Sequence, residues 1–302
     1  ADKMNVFIDS EDKDTFDLAA VLPKLPNLEK LKLSLAQIPP SATERLKASL
    51  IHCPQLSQVK LELIEDGWQI IPSQSNIHDL LIRFCDLEGQ YPHLFDQLVQ
   101  WPYLSRLSLT NHQCPVHVPS LPHLAHLALR FYDGLAPTID FSTTLTSLEL
   151  GSFVLNSTLA TDISKLKLTT LRITATKTRL LLDQLPSTLT LLELVDVQLT
   201  DSELVETCQT WPTCLQTLDI ARSKFLGEDT GRALAAMLPH WPHLEDLMLT
   251  NAALVPELES AVAVHLSLRS LRNQKREKLV RATLRRNAIR LSRLEDKSRP
   301  KQ

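Results

Sequence analysis

His112, Cys114, His117, His123 and His126, with His93 upstream, are the one stretch of this 302-residue chain where metal-ligating side chains crowd together. Zinc needs four convergent nitrogen or sulfur ligands, so the 112–117 segment would have to fold back onto His123. The competing reading is a set of surface histidines in an irregular region, and no metal or cofactor is assigned. Catalytic chemistry finds even less support. The chain has six glycines, and no Gly-rich phosphate loop, HExxH, GxSxG or CxxC pattern occurs. The expectation is a non-enzymatic protein. Cys53, Cys85, Cys114, Cys208 and Cys214 are odd in number and scattered. They read as reduced and structural, which implies a cytoplasmic or nuclear location. A single glycosylation sequon, Asn156-Ser157-Thr158, points weakly the other way.

Charge is the second chemical signal. Composition is that of an ordinary soluble chain, 43% hydrophobic and 22% charged, with net charge −3. Yet residues 266–302 hold thirteen Lys or Arg against three acids. Three readings of this basic C-terminal stretch are open: a solvated helical cap, a nucleic-acid or nuclear-import element through Lys275, Arg276, Arg285, Arg286 and Arg290, or a site for an acidic partner or membrane surface. No run of 18 apolar residues occurs, so no membrane-spanning helix is expected, and no secretory signal is visible.

The elements that must position these groups announce themselves as a repeat. Leu244, Leu247 and Leu249 follow the spacing LxxLxL, with Leu254 five positions on. The same spacing begins at Leu28, Leu56, Ile77, Leu104, Leu124, Leu145, Leu168, Leu189 and Leu215. Ten copies in order, at short and long steps within the range of such units, predict an α/β leucine-rich repeat solenoid, a horseshoe of about ten to eleven repeats. The last two leucines of each copy point to one side of a strand. Stacked copies bury that side and line a concave face with a parallel sheet. One long repeat before Leu28, Leu31 and Leu33 stand Ala1, Met4 and Val6, so the chain opens inside a degenerate strand. Either an upstream segment or a partner covers that end, or the stretch 1–20 forms a ragged cap.

The convex side should be mixed. Long repeats have room for helices at Thr15–Leu22, Ser41–Ile51 (capping box Ser41/Glu44), Tyr91–Val99, Thr200–Cys208 (box Thr200/Glu203) and Asp229–Leu238. Trp101-Pro102, Trp211-Pro212, Trp241-Pro242 and Cys53-Pro54 then stop the helix. The bulky residue is placed to fill the space behind the next strand. Short repeats from Leu124 to Leu189 carry Pro, Ser and Thr and should be extended outside. After Leu254 the pattern ends, giving a solenoid over 1–254 and a basic helical cap and tail over 255–302, with one or two helices in 257–295.

The repeats resemble the leucine-rich repeat superfamily over 1–254. Cys-Pro or Trp-Pro before the strand looks most like the substrate-binding arrays of F-box proteins, and is also similar to the ribonuclease-inhibitor class. Leu145 to Gly151 and Leu189 to Leu194 resemble the FNIP-type repeats of some protists. These families usually place Asn or Cys at the third position after the last strand leucine. Here that position holds Ala36, Ile64, Cys85, His112, Tyr132, Phe153, Thr176, Val197, Ser223 and Ala252, and only Cys85 fits. No F-box segment occurs in the chain, so a ubiquitin-ligase role rests on the resemblance alone. A GTPase-activating solenoid would offer a rim arginine or asparagine, and nothing marks one.

With the strand register fixed, the solvent face can be written down. Its early part carries Lys30, Lys32, Lys60, Arg83, Arg106, His126 and Arg130 against Glu62 and Asp79; its later part carries Glu149, Glu193, Asp219 and Asp246 against Arg172. Ser108, Ala128, Ser147, Gly151, Thr174 and Ala221 leave room for an inserted ligand. The expected partner-binding set is Lys32, Lys60, Arg83, Arg106, Arg130, Glu149, Arg172, Glu193 and Asp219 on a monomeric scaffold for a protein ligand. The alternative is a nuclear, nucleic-acid-associated protein acting through the tail.

Overall fold

The computed structural model describes residues 2–8, 18–35, 40–63, 70–72, 76–84, 98–112, 117–134, 138–153, 156–174, 179–221, 223, 226–249, 255–265 and 267–273. The chain divides into two compact units, 1–153 and 154–302.

In the first unit, seven strands run parallel: β1 (Asp2–Ile8), β2 (Leu28–Leu35), β3 (Gln58–Leu63), β4 (Asp79–Phe84), β5 (Arg106–His112), β7 (His126–Gly134) and β9 (Ser147–Phe153). Two short strands on the return path, β6 (His117–Val118) and β8 (Thr138–Ile139), pair with each other. This is the extended outer layer expected of the short repeats around Leu124 and Leu145. In β1, Met4 lies opposite Leu31 and Val6 opposite Leu33, the register expected of one further repeat before Leu28. In the second unit β10 (Thr170–Thr174), β11 (Leu191–Val195), β12 (Thr217–Asp219), β13 (Asp246–Leu249) and β14 (Ser270–Asn273) are likewise parallel.

The leucine pattern explains the core. Leu31, Leu33, Leu61, Leu80, Leu107, Leu109, Leu148 and Leu150 are at most 2% exposed in the first unit. Leu171, Leu192, Leu194, Leu218, Leu247 and Leu249 are fully buried in the second. Each contributes about 1.5–3 kcal/mol relative to exposure, and none can be buried by its own strand.

Four strand entries follow one recipe. Leu25-Pro26-Asn27-Leu28, Cys53-Pro54-Gln55-Leu56, Trp101-Pro102-Tyr103-Leu104 and Trp241-Pro242-His243-Leu244 each close a four-residue turn. The first residue's carbonyl accepts from the leucine N–H at 3.0–3.1 Å. Proline suits the second place of such a turn because its φ is already set. A second device follows. A single carbonyl accepts two consecutive N–H groups of the next repeat: Ser57 from His78 and Asp79, Ser105 from Ala125 and His126, Thr169 from Thr190 and Leu191, and Glu245 from Arg269 and Ser270. Hydroxyls reinforce it, with Ser105 Oγ donating to His78 O (3.1 Å), Thr146 Oγ1 to Ala125 O (3.2 Å) and Thr190 Oγ1 to Thr169 O (3.0 Å). A carbonyl and hydroxyl ladder thus ties these strand entries to the preceding repeat. Of the ladder positions read from sequence, Ser223 is buried and its Oγ donates to Leu194 O (3.3 Å).

The bulky residues before proline lie in the core. Trp101, Trp211 and Trp241 are at most 3% exposed, and Cys53 is 4% exposed. The Trp101 indole N–H donates to Pro72 O at 3.2 Å. Trp211 and Trp241 stack at 6.0 Å and 20°. Their indole N–H groups have no hydrogen-bond partner among the described residues, so packing alone holds them.

Four expectations about the outer layer are corrected. The 41–51 helix spans Pro40–Leu50, so Ser41 lies inside its first turn rather than capping it. Val99, the last residue of the helix expected at Tyr91–Val99, is 55% exposed, and residues 91–97 lie outside the described set. The middle repeats do contain helix, at Ser157–Ser164 and in a turn at Arg179–Leu182. The triplet Asn156-Ser157-Thr158 opens the first of these: Asn156 Oδ1 accepts from Leu159 N at 2.8 Å, and Leu159, Ala160 and Ile163 are buried. Finally, the repeat pattern does not stop at Leu254. The helix Pro256–Val264 is followed by β14, with Leu268 and Leu271 buried and Leu271 opposite Leu247. Asn273 stands where the third leucine would be, which hides the copy from the LxxLxL pattern. Two expectations hold locally. Thr200 and Glu203 form the full capping box of the helix Asp201–Thr207. The helix Glu228–Met237 buries Leu234.

Leu271→Ala tests the added repeat. Urea denaturation of the variant is expected to show a loss of about 2 kcal/mol, whereas a residue in a solvated tail would leave the midpoint unchanged.

Candidate functional site

Sheet register arranges the solvent-facing side chains into rows that cross the strands. In the first unit one row is Lys30, Gln58, Asp79, Arg106, His126 and Ser147. The next is Lys32, Lys60, Leu81, Ser108, Ala128 and Glu149, and the third is Ser34, Glu62, Arg83, Thr110, Arg130 and Gly151. In the second unit Arg172, Glu193, Asp219 and Met248 form one row and Leu191, Thr217 and Asp246 another. Of the nine expected binding residues, Lys32, Lys60, Arg83, Arg106, Arg130 and Glu149 therefore share one face of the first unit. Arg172, Glu193 and Asp219 share one face of the second.

Several of these charges already hold one another. Arg130 ion-pairs with Glu149, whose residue is only 8% exposed. Arg172 Nε donates to Glu193 at 2.6 Å. Glu62 accepts from Ser34 Oγ at 2.7 Å and lies 3.4 Å from Lys32 Nζ and 3.3 Å from Lys60 Nζ. These contacts, the Ser34 hydroxyl foremost and the lysines after it, hold the Glu62 carboxyl below its ordinary value. It stays ionised, and a single carboxylate is shared between two ammonium groups. Arg83 and Arg106 are exposed and take part in none of the ion pairs formed among the described residues. In the middle row Leu81 and Ser108 are half-buried, while Ala128 is covered, 4% exposed, so the room expected at Ala128 is not open to solvent.

A depression of about 340 Å³ opens between the first two rows. Lys3, Lys30, Lys32, Lys60, Gln58, Asp79 and Leu81 line it, with Leu31 and Val59 at its floor. Lys3 was absent from the expected binding set, although the register that sets Met4 opposite Leu31 also sets Lys3 opposite Lys30.

The histidine cluster does not converge in what is described. His117 faces Asp140 at 3.5 Å, His126 Nδ1 meets Ser147 Oγ at 2.7 Å, and His123 is exposed on a turn. Among the described residues no three His, Cys, Asp or Glu are placed to hold a metal ion. His93 and Cys114 lie outside them. Cys53, Cys208 and Cys214 are free thiols. Burial raises the Cys53 thiol and pushes Cys208 up to about 11, so both stay protonated and unreactive at neutral pH. The tail residues Lys275, Arg276, Arg285, Arg286 and Arg290 lie outside the described residues. No described helix is long and apolar enough to cross a membrane.

No family model and no curated protein matches the chain. Among solved structures it is similar to the leucine-rich repeat-containing protein LegL7 from Legionella pneumophila. The TM-score is 0.51 at 14% identity, covering 95% of this chain and 97% of that one. The fold is a leucine-rich repeat solenoid. A further likeness, to the yeast Rad7 and Elc1 complex, has a TM-score of 0.42 at 15% identity and covers 84% of this chain and 65% of that one. What the fold offers for chemistry is a sheet face with side chains at fixed pitch.

Glu62→Gln tests the shared carboxylate. A carboxyl depressed in the folded state stabilises above its unfolded pKa, and that contribution is lost as pH falls through the folded value. The variant is expected to be less stable at neutral pH by under about 1 kcal/mol, as for solvent-screened pairs. The difference should vanish in acid, where Glu62 itself is protonated. A pH-independent difference in denaturation midpoints would contradict the pairing.

Proposed function

We propose that the solenoid is a non-enzymatic protein-interaction scaffold, and that it serves as the substrate-recognition part of an F-box-like ubiquitin ligase. The supporting observation is the exposed sheet face of the first unit. Its strands fix Arg83, Arg106, Lys30, Lys32 and Lys60 around a floor of Leu81 and Ser108. Charges so placed steer and orient a partner more than they add raw affinity. The leucine-rich repeat fold is compatible with this use, and the Cys-Pro and Trp-Pro turns carry the resemblance to F-box arrays.

A steric block at the floor tests the scaffold. Ser108→Trp fills the middle row without changing charge or any hydrogen bond described above. In parallel affinity captures, a partner held by this face is expected to drop at least about tenfold, a central contact being worth roughly 2 kcal/mol. A ubiquitin-ligase adaptor should be retained by wild type and variant alike in a form of the chain that carries an adaptor-binding segment. A partner recovered equally by both chains would contradict the surface, and loss of the adaptor would contradict the ligase assignment.

The density of positive charge in residues 266–302 supports a second reading, nucleic-acid association through the tail. Truncation after Asn273 preserves β14, whereas truncation after 265 would remove it. On this reading, DNA or RNA binding is expected to weaken steeply with salt and to disappear in the 1–273 chain. Binding retained by that truncation would exclude the tail.

A further inference from the structure

The scaffold reading leaves open what chemistry the sheet face of the first unit recognises, and the rows of charge narrow it. Four lysines, Lys3, Lys30, Lys32 and Lys60, line the depression, and Asp79 is the one acid among its lining residues. Glu62 lies outside the lining and is shared by Lys32 and Lys60. Beyond the depression, Arg106 continues the first row and Arg83 the third, both exposed and both on the solvent side. Between them runs the uncharged stretch Leu81, Ser108 and Ala128, which begins with a half-exposed leucine. A charged margin on each side of a low, partly apolar centre suits a narrow extended chain better than a broad globular surface. Lys3 and Lys30, and Lys32 and Lys60, stand opposite each other at strand pitch, about 4.8 Å. Four of the six cations are ammonium groups acting as separate point charges, whereas phosphate recognition favours the planar fork of clustered arginines.

We propose that this face binds an extended acidic peptide segment of a partner protein. Its Asp or Glu side chains lie along Lys30, Lys32 and Lys60 and between Arg83 and Arg106, and one apolar side chain rests on Leu81. The proposal rests on the scaffold reading and gives it a substrate class. Lys3 and Lys30 stand opposite each other on neighbouring strands, where like charges repel, and an acidic ligand relieves that repulsion as it binds.

Fluorescence anisotropy with labelled peptides tests it on the full chain. The probes are a short Asp/Glu peptide carrying one central leucine, its Asn/Gln isostere, and a phosphoserine version. The acidic peptide is expected to bind, and the isostere at least about tenfold more weakly, two lost charge contacts near the surface being worth that much or more. Lys30→Glu with Arg106→Glu should weaken the acidic peptide by a similar factor, and Leu81→Ser should weaken it less. Neither change breaks a described intramolecular ion pair, unlike reversal of Arg130, which would strand Glu149. Circular dichroism confirms that the variants fold. Equal binding of acidic and isosteric peptides, or an unchanged Kd in the double variant, overturns the proposal. So does a phosphoserine peptide that binds more than tenfold tighter than the acidic one. Should a captured partner be lost with Ser108→Trp while acidic peptides fail to bind, the scaffold reading stands and the acidic specificity alone falls.

Discussion

A strand with one apolar side has nowhere to place its leucines except against the next copy of itself. That constraint governs this protein. Leu31 and Leu33, Leu107 and Leu109, and Leu192 and Leu194 are all buried because a neighbouring repeat stands in register with each. The stacking free energy is cooperative between neighbours, so register propagates along each unit. A slip by a single position would turn every leucine to water. Everything else follows from the need to keep that register. Proline turns start several strands at the same leucine, single carbonyls clamp two N–H groups of the following repeat, and serine and threonine hydroxyls reinforce them. The outer layer answers a looser demand, closing the core behind the strand. It does so with helices, extended pairs, buried tryptophans or a buried cysteine, as local length allows.

Much of this was legible in the residues. The spacing LxxLxL determined the strands, their direction and their register, down to Met4 opposite Leu31. Thr200 and Glu203 announced a helix start that the backbone confirms. The failures have physical causes. Asn156-Ser157-Thr158 has the composition of a sequon and also of an N-cap, and the helix it caps shows itself only in the buried Leu159 and Ile163. The strand at Ser270–Asn273 ends in asparagine, and its basic neighbours masked a pattern that needs just Leu268 and Leu271. The asparagine ladder was sought after the strand, whereas the bonds seen between repeats lie before it and rest largely on backbone carbonyls, which no side-chain pattern reveals.

The solvent face was legible as a row of residue types and much less as a site. Sequence placed Arg130, Glu149, Arg172 and Glu193 on it correctly but gave no sign that they pair with one another. Such pairing converts part of an apparent binding surface into internal structure. It leaves Arg83, Arg106 and Lys30, outside the ion pairs among the described residues, as the groups best placed to meet a ligand, with Lys32 and Lys60 sharing the single carboxylate of Glu62. Lys3, opposite Lys30, joins them at the depression.

The central claim is that a partner lies on the sheet face of the first unit. It is tested most directly by site-specific photocrosslinking, with a photoreactive residue installed at Ser108 or, in a separate chain, at the exposed helix position Ala236. The account predicts a discrete crosslinked partner from position 108 and none from position 236. The same partner captured from 236 and absent at 108 would place binding on the outer layer and contradict it.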